Sequence, residues 1–181
     1  MQAIILAAGM GKRLGKLTEH NTKCMVKING VTLIDRILTQ LTALPLNRIV
    51  IVTGYKSDVL REHLSNSFNG IPLIYVENPI YDKTNNIYSL YLAKDYFIED
   101  DTILLESDII IDESILKKLM ANPCPNLAAV AKYQNWMNGT MVMLDDKDYI
   151  VSYIPFSGFS CHNIQSYYKT INIYKFSKDF I

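Results

Sequence analysis

MQAIILAAGMGKRLGKLTEHNTKCMVK, residues 1–27, is the stretch that decides the fold. Ala3 to Ala8 form an apolar run of about one buried strand's length. The run breaks into a segment with glycine at Gly9, Gly11 and Gly15 and cations at Lys12, Arg13 and Lys16. That is the build of a phosphate-binding turn. Glycine lets backbone N–H groups come close to an anion, and Lys and Arg add charge that a purely structural turn does not need. An ordinary strand-to-loop junction with solvated lysines accounts less well for this density of glycine and cation.

Two common phosphate loops are excluded. A Walker loop needs Ser or Thr after Gly-Lys to bind magnesium, and here Gly11-Lys12 is followed by Arg13. A dinucleotide fingerprint needs a third glycine and an acidic residue closing the second strand. Leu14 holds the glycine's place, and the second strand ends in Thr53-Gly54-Tyr55. The stretch instead resembles the nucleotidyltransferases that make activated sugars and activated alcohol phosphates, whose signature is a strand, L-A-A-G-x-G-x-R and a lysine further on. Here these are Leu6, Ala7, Ala8, Gly9, Met10, Gly11, Lys12, Arg13 and Lys23; Thr22 stands where many members have proline. The resemblance implies an α/β fold: a three-layer α/β/α Rossmann-like nucleotidyltransferase fold with a mostly parallel mixed sheet and an added β-rich substrate-facing lobe.

Outward from the loop, residues 32–44 space Leu33, Ile34, Ile37, Leu38 and Leu41 along one helical face before Pro45. Residues 48–53 read as the second strand, and Ser57 as the cap of a helix with Val59, Leu60 and Leu64 inward. Residues 72–76 read as a third strand and 86–97 as a helix with Ile87, Leu90 and Tyr91 on one side. Residues 102–105 read as a fourth strand, and a short helix with Ile115, Leu116 and Leu119 starts at Asp112. This alternation argues for a mostly parallel sheet covered on both faces. After Asn122-Pro-Cys-Pro125 come strands at 127–133, 140–144, 149–153 and 169–176, with a hairpin turn at Asp145-Asp146-Lys147-Asp148. One domain over 1–181 is expected, with a nucleotide-binding half at 1–122 and a β-rich part at 123–181. The last residues read as the start of a helix and family domains run longer, so a further domain after Ile181 is an open option.

Composition narrows the classes. Lys plus Arg and Asp plus Glu are 18 each, so no net field steers the chain to nucleic acid or an anionic membrane. The longest apolar runs are of strand length and no charged leader precedes the first, so we expect neither a spanning helix nor a signal peptide, and a cytoplasmic protein. Cys24, Cys124 and Cys161 are odd in number and widely spaced, and only Cys161 neighbours a histidine, His162. They indicate neither a disulfide framework nor a zinc site.

Asp108 follows the fourth strand, where a carboxylate is placed to hold magnesium against phosphate oxygens. The family uses an aspartate there for Mg²⁺; Glu106 and Asp112 are weaker candidates, Asp112 reading better as a helix cap. The family's second metal carboxylate has no clear match in the chain. The resemblance puts nucleobase and ribose contacts at Thr53, Gly54 and Tyr55 and at Asn86 and Ser89, with Asn86 reading equally well as an N-cap. The Asn-Ile-Tyr-Ser sequence there looks more like the choline-phosphate and phosphonate cytidylyltransferases than the sugar enzymes, which implies CTP. Trp136, Tyr153 and Lys169 are the acceptor-side candidates: aromatic faces attract ammonium groups, and Lys169 suits a phosphonate. The expected roles are Leu6 to Lys12 on the triphosphate, Arg13 on the leaving phosphates, Lys23 bridging α-phosphate and acceptor, and Asp108 on the metal. Expected partners are CTP and a small phosphonate or phosphate-ester acceptor, with no nucleic acid or membrane and a homodimer left open. A UTP- or dTTP-dependent sugar-1-phosphate enzyme and a non-catalytic nucleotide-binding module are the alternatives.

Overall fold

The computed structural model describes residues 1–155 and 161–180. The opening run forms β1 (Gln2–Ala7). Two short strands, β2 (Lys27–Ile28) and β3 (Val31–Thr32), lead into α1 (Leu33–Leu41). β4 (Arg48–Thr53), α2 (Ser57–Leu64), β5 (Ser67–Phe68) and β6 (Ile71–Glu77) follow, then α3 (Asn86–Leu92), α4 (Lys94–Glu99), β7 (Thr102–Glu106) and α5 (Glu113–Ala121). β1 is central. It pairs in parallel with β4, bringing Ala7 opposite Thr53, and with β7, bringing Leu6 opposite Glu106; β6 pairs in parallel with β4. The chain therefore runs outward from β1 through β4 to β6 and returns to β7 on the far side of β1. At such a reversal the loops leaving neighbouring strands diverge and open a crevice at the carboxyl ends.

Alternation along the strands supplies two apolar faces. Ile4, Val50, Val52 and Leu104 pack with Ala93 and Phe97 on one face, while Ala3, Ile5, Ile49, Ile51, Ile103 and Leu105 are fully buried on the other. The helical stripes match this demand: α1 buries Ile34, Ile37, Leu38 and Leu41, and α2 buries Leu60 and Leu64. Each such side chain contributes about 1.5–3 kcal/mol by leaving water. The three-layer α/β/α arrangement follows. No helix of the described residues is long and apolar enough to cross a membrane.

Several local expectations are corrected. The helix expected over 86–97 is broken at Ala93 (φ −95°, ψ 10°). Its inward side carries Ser89, Ala93 and Phe97, whereas Ile87 and Tyr91 are 74% and 56% exposed. Asn78 decides this: its amide donates to the Ser89 hydroxyl at 3.1 Å, so a satisfied polar group takes a core position that periodicity assigns to an apolar one. Ser57 is not the cap of α2. Lys56 holds the cap position at φ 53°, and the Ser57 hydroxyl donates to Thr53 Oγ1 at 2.8 Å. α1 ends at Leu41, a turn short of Pro45. Two hairpins join the expected elements, β2–β3 through Asn29-Gly30 and β5–β6 through Asn69-Gly70, with positive φ at all four turn residues. The Asn-Gly dipeptide is the sequence signal for such turns.

The chain divides into two compact units, Met1–Leu127 with Tyr174–Ile181, and Ala128–Ile173. The second contains most of β8 (Leu127–Lys132), β9 (Met141–Leu144), β10 (Ile150–Ile154) and the first part of β11 (Tyr167–Phe176). β9 and β10 form the expected antiparallel hairpin, turning through Asp145 to Asp148 with Asp148 at φ 63°. β9 also pairs antiparallel with β11, Val142 opposite Tyr168. In the first unit, Phe176 packs on Phe97 with ring centroids 5.4 Å apart.

Candidate active site

The loop after β1 folds back as two 3₁₀ segments, Lys12–Thr18 and Lys23–Met25. Gly11 makes this possible. It takes φ 64°, and a Cβ there would lie 3.0 Å from both the Lys23 Cβ and the Thr18 Cγ2, so only glycine lets the loop close on Lys23. Thr18 clamps the turn by donating to the carbonyl oxygens of Gly11 and Gly15, each at 3.2 Å. Gly54 is a second enforced close approach: its Cβ would stand 2.7 Å from the Tyr81 Cβ and 2.8 Å from the Ala8 carbonyl oxygen. The Tyr55 N–H donates to that same carbonyl at 3.2 Å, and its hydroxyl reaches the Glu19 carbonyl at 3.2 Å. Leu6 to Gly11 and Thr53 to Tyr55 thus form one cradle over the adjacent ends of β1 and β4. A Cβ on Gly9 would meet nothing within 4 Å, so that glycine answers no packing demand within the chain.

Met10, Lys12, Gly15, Thr18, Glu19 and Tyr55 line a groove of about 330 Å³ beside the cradle. Lys12, Arg13 and Lys16 are exposed, and none of them pairs with a carboxylate among the described residues. Lys23 is different. Its ammonium contacts the Asp108 carboxylate, which joins the end of the β1 loop to the end of β7. The backbone fixes this meeting, since Ser107 N–H donates to the Leu6 carbonyl at 3.1 Å and places Asp108 beside the mouth of the loop. Cys24, the next residue after Lys23, is fully buried with its sulfur 2.9 Å from the Thr22 hydroxyl. Burial pushes its thiol up to about 11, against the opposing hydrogen bond from Thr22, so it is a neutral anchor and not a nucleophile. Cys124 is exposed and free; the side chains of Cys161 and His162 lie outside the described residues.

Of the base-side candidates, Thr53 and Ser89 are buried, at 0% and 3% exposure, and act behind the surface. Asn86 is exposed but does not cap α3. Asn85 does, accepting from the Ile87 N–H at 3.1 Å, and Asn86 donates to Glu106 Oε1 at 2.6 Å. Asp112 caps α5 as expected, accepting from Ser114 N–H at 2.9 Å. Among the described residues no group of three or more His, Cys, Asp and Glu side chains is placed to enclose a metal. Magnesium keeps water and phosphate oxygens as its main ligands and can draw on a single protein carboxylate. Asp108 is the residue that could supply it. Trp136, Tyr153 and Lys169 lie in the second unit. Trp136 is 79% exposed, the Tyr153 hydroxyl is 3.3 Å from Thr140 Oγ1, and Lys169 donates to the Thr170 carbonyl at 2.7 Å. Thr18 and Glu19 line the groove and are passed over by apolar periodicity, while Glu106, a weaker metal candidate from sequence, accepts from Asn86. The signal for Glu106 is a charged residue closing an otherwise apolar strand.

Residues 3–148 match the family described as the MobA-like NTP transferase domain. A CMP-5'-(3-aminopropyl)phosphonate synthase of Streptomyces rubellomurinus is 29% identical over 85% of this chain and 24% of its own length. A CTP:phosphoglutamine cytidylyltransferase of Campylobacter jejuni is 37% identical over 66% of this chain and 48% of its own. A UTP–glucose-1-phosphate uridylyltransferase of Haloferax volcanii is 32% identical over 60% and 44%. The chain therefore spans a quarter to about half the length of these curated relatives. In fold it is similar to an inositol-1-phosphate CTP transferase from T. maritima, with a TM-score of 0.76 at 23% identity over 98% of this chain and 70% of that one.

Proposed function

The chain belongs to the MobA-like NTP transferase family, and from that premise we propose that it is a cytidylyltransferase. An oxygen of a small amine-bearing phosphonate or phosphate monoester attacks the α-phosphorus of CTP. A P–O bond forms, the bond to the bridging oxygen breaks, and pyrophosphate leaves. Among acceptors, 2-aminoethylphosphonate is favoured and phosphocholine comes next. The observation that carries the proposal is the contact of Lys23 with Asp108 at the mouth of the glycine-rich loop. A cation for phosphate and a carboxylate for a metal meet there, at the carboxyl ends of β1 and β7.

No protein nucleophile is needed, because the attacking oxygen is already anionic; the chain positions the reactants and neutralises charge. The backbone of Leu6 to Gly11, with Lys12, cradles the triphosphate, and Arg13 holds the departing phosphates. Lys23 leaves its partner to bridge the α-phosphate and the acceptor oxygen. Asp108 would hold magnesium, which would supply positive charge to offset the repulsion between two anions. For the acceptor, the exposed aromatic rings of Trp136 and Tyr153 are proposed for the ammonium and Lys169 for the phosphonate. The names of two cytidylyl-transferring relatives support CTP.

The uridylyltransferase relative favours a second reading, a UTP-dependent sugar-1-phosphate enzyme. Pyrophosphate release from each of four nucleoside triphosphates, tested with aminoethylphosphonate, phosphocholine and glucose-1-phosphate plus magnesium, separates the two. Release confined to CTP with an amine-bearing acceptor is the expected result. Release only with UTP or dTTP and the sugar phosphate replaces the reading, and nucleotide binding without release under every pairing reduces the protein to a binding module.

A further inference from the structure

Glu106 is a carboxylate at the rim of a site built for an anion. Standing two residues before Asp108, it repels any triphosphate bound there, so its presence needs a reason. The hydrogen bond from Asn86 Nδ2 to Glu106 Oε1, at 2.6 Å, supplies one. It ties the first residue of α3, which packs on β1 and β4, to the last residue of β7. A free asparagine amide is two-faced: rotation by half a turn offers a donor or an acceptor to a ligand. Next to an ionised carboxylate it is not, because the carboxylate only accepts and the amide must turn its NH₂ group to it. Asn85 does not compete, since its own side chain is committed to the Ile87 N–H. Asn86 is exposed, and its carbonyl oxygen is therefore left as a fixed acceptor open to a ligand.

We propose that Glu106 sets the base preference of the site by holding Asn86 as an acceptor, which suits the exocyclic amino group of cytosine and opposes the carbonyl that uracil carries at the same ring position. The inference rests on the site being a nucleoside triphosphate site. Glu106 is a positioning residue here, acting through Asn86 and not on the reacting atoms. A donor at the same place would favour uracil, so the sign of the preference is fixed by the charge on Glu106.

The test omits the acceptor, so that no turnover is needed. Binding of CTP and of UTP, each with magnesium, is measured by calorimetry for the wild-type chain, E106Q and N86A, with thermal melts to establish that each is folded. The wild-type chain is expected to prefer CTP by about tenfold, the size of one satisfied against one opposed hydrogen bond. In E106Q the glutamine amide donates as readily as it accepts, Asn86 turns freely, and the preference narrows to about twofold or less, with UTP binding improved. N86A narrows it too, which keeps the test decisive if E106Q does not fold. Equal binding of the two nucleotides by the wild-type chain overturns the proposal. So does an equal loss for both in E106Q, the mark of a metal ligand or a structural residue. A chain with Glu106-dependent selectivity that releases no pyrophosphate with any acceptor loses the cytidylyltransferase reading and keeps this inference. Turnover of CTP with unchanged selectivity in E106Q does the reverse.

Discussion

At the scale of single residues, the site is a set of enforced contacts. Lys23 reaches Asp108 because Gly11 leaves no side chain in its way and buried Cys24 anchors the next position. Lys23→Ala and Asp108→Ala are each expected to lower CTP turnover by at least about a hundredfold, the usual cost of removing one charge-stabilising group, with melting temperature little changed. Steady-state pyrophosphate release checks this, and near-normal turnover in either variant defeats the assignment. Gly54→Ala acts differently. Its methyl meets the Ala8 carbonyl and Tyr81, so the backbone of the phosphate cradle must shift. A loss of about 1–3 kcal/mol in chemical denaturation is expected, together with weaker nucleotide binding. Both glycines stand in the sequence, and Gly11 is legible as part of a phosphate loop. The partners of Lys23 and Gly54 are not, because they lie in segments that follow other strands and are brought in by parallel register, which local pattern does not encode.

At the scale of elements, legibility follows burial. β1, β4 and β7 are apolar on both faces and read as strands without ambiguity, and the α1 stripe falls where the spacing puts it. α3 reads wrongly because its inward position at Ser89 is polar and satisfied by Asn78 from another segment. The β2–β3 hairpin carries its own signal at Asn29-Gly30, yet it is too short for periodicity to register. α5 offers an elemental test. The Asp112 carboxyl is held below its ordinary value of 3.8, first by its hydrogen bond from Ser114, with Lys117 and Lys118 adding to the effect. A depressed carboxylate stabilises the fold above its unfolded pKa and loses that contribution as pH falls through the native value. Asp112→Ala is therefore expected to melt below wild type at neutral pH, and the two melting curves should converge under acid. A gap that persists at pH 2 would refute the cap as its cause.

At the scale of the whole first unit, the sheet has two ends with separate duties. Its carboxyl end holds the glycine-rich cradle; its amino end carries a separate polar network. Gln2 is fully buried there, donating to the Tyr96 carbonyl and to Thr102 Oγ1 and accepting from Arg48 Nε at 2.7 Å, while Arg48 also binds Glu99 at 2.6 Å. Gln2→Leu keeps the volume and strands these partners, so it should cost at least about 2 kcal/mol while CTP affinity stays as in wild type. Asp100 adds a pH signature to the same end. Burial raises its pKa, but the hydrogen bonds from Asn47 and the terminal ammonium, the charge of that ammonium and the Asp101 N–H outweigh it, and the carboxyl sits below its ordinary 3.8. The stabilisation is thus fully present above that ordinary value and fades as pH drops through the lowered native one. Asp100→Asn should melt below wild type at pH 7, lose that deficit toward pH 2.5, and bind CTP unchanged throughout. Weaker nucleotide binding in Gln2→Leu or Asp100→Asn, in protein shown to be folded, would mean that the two ends of the sheet are coupled and that their duties do not separate.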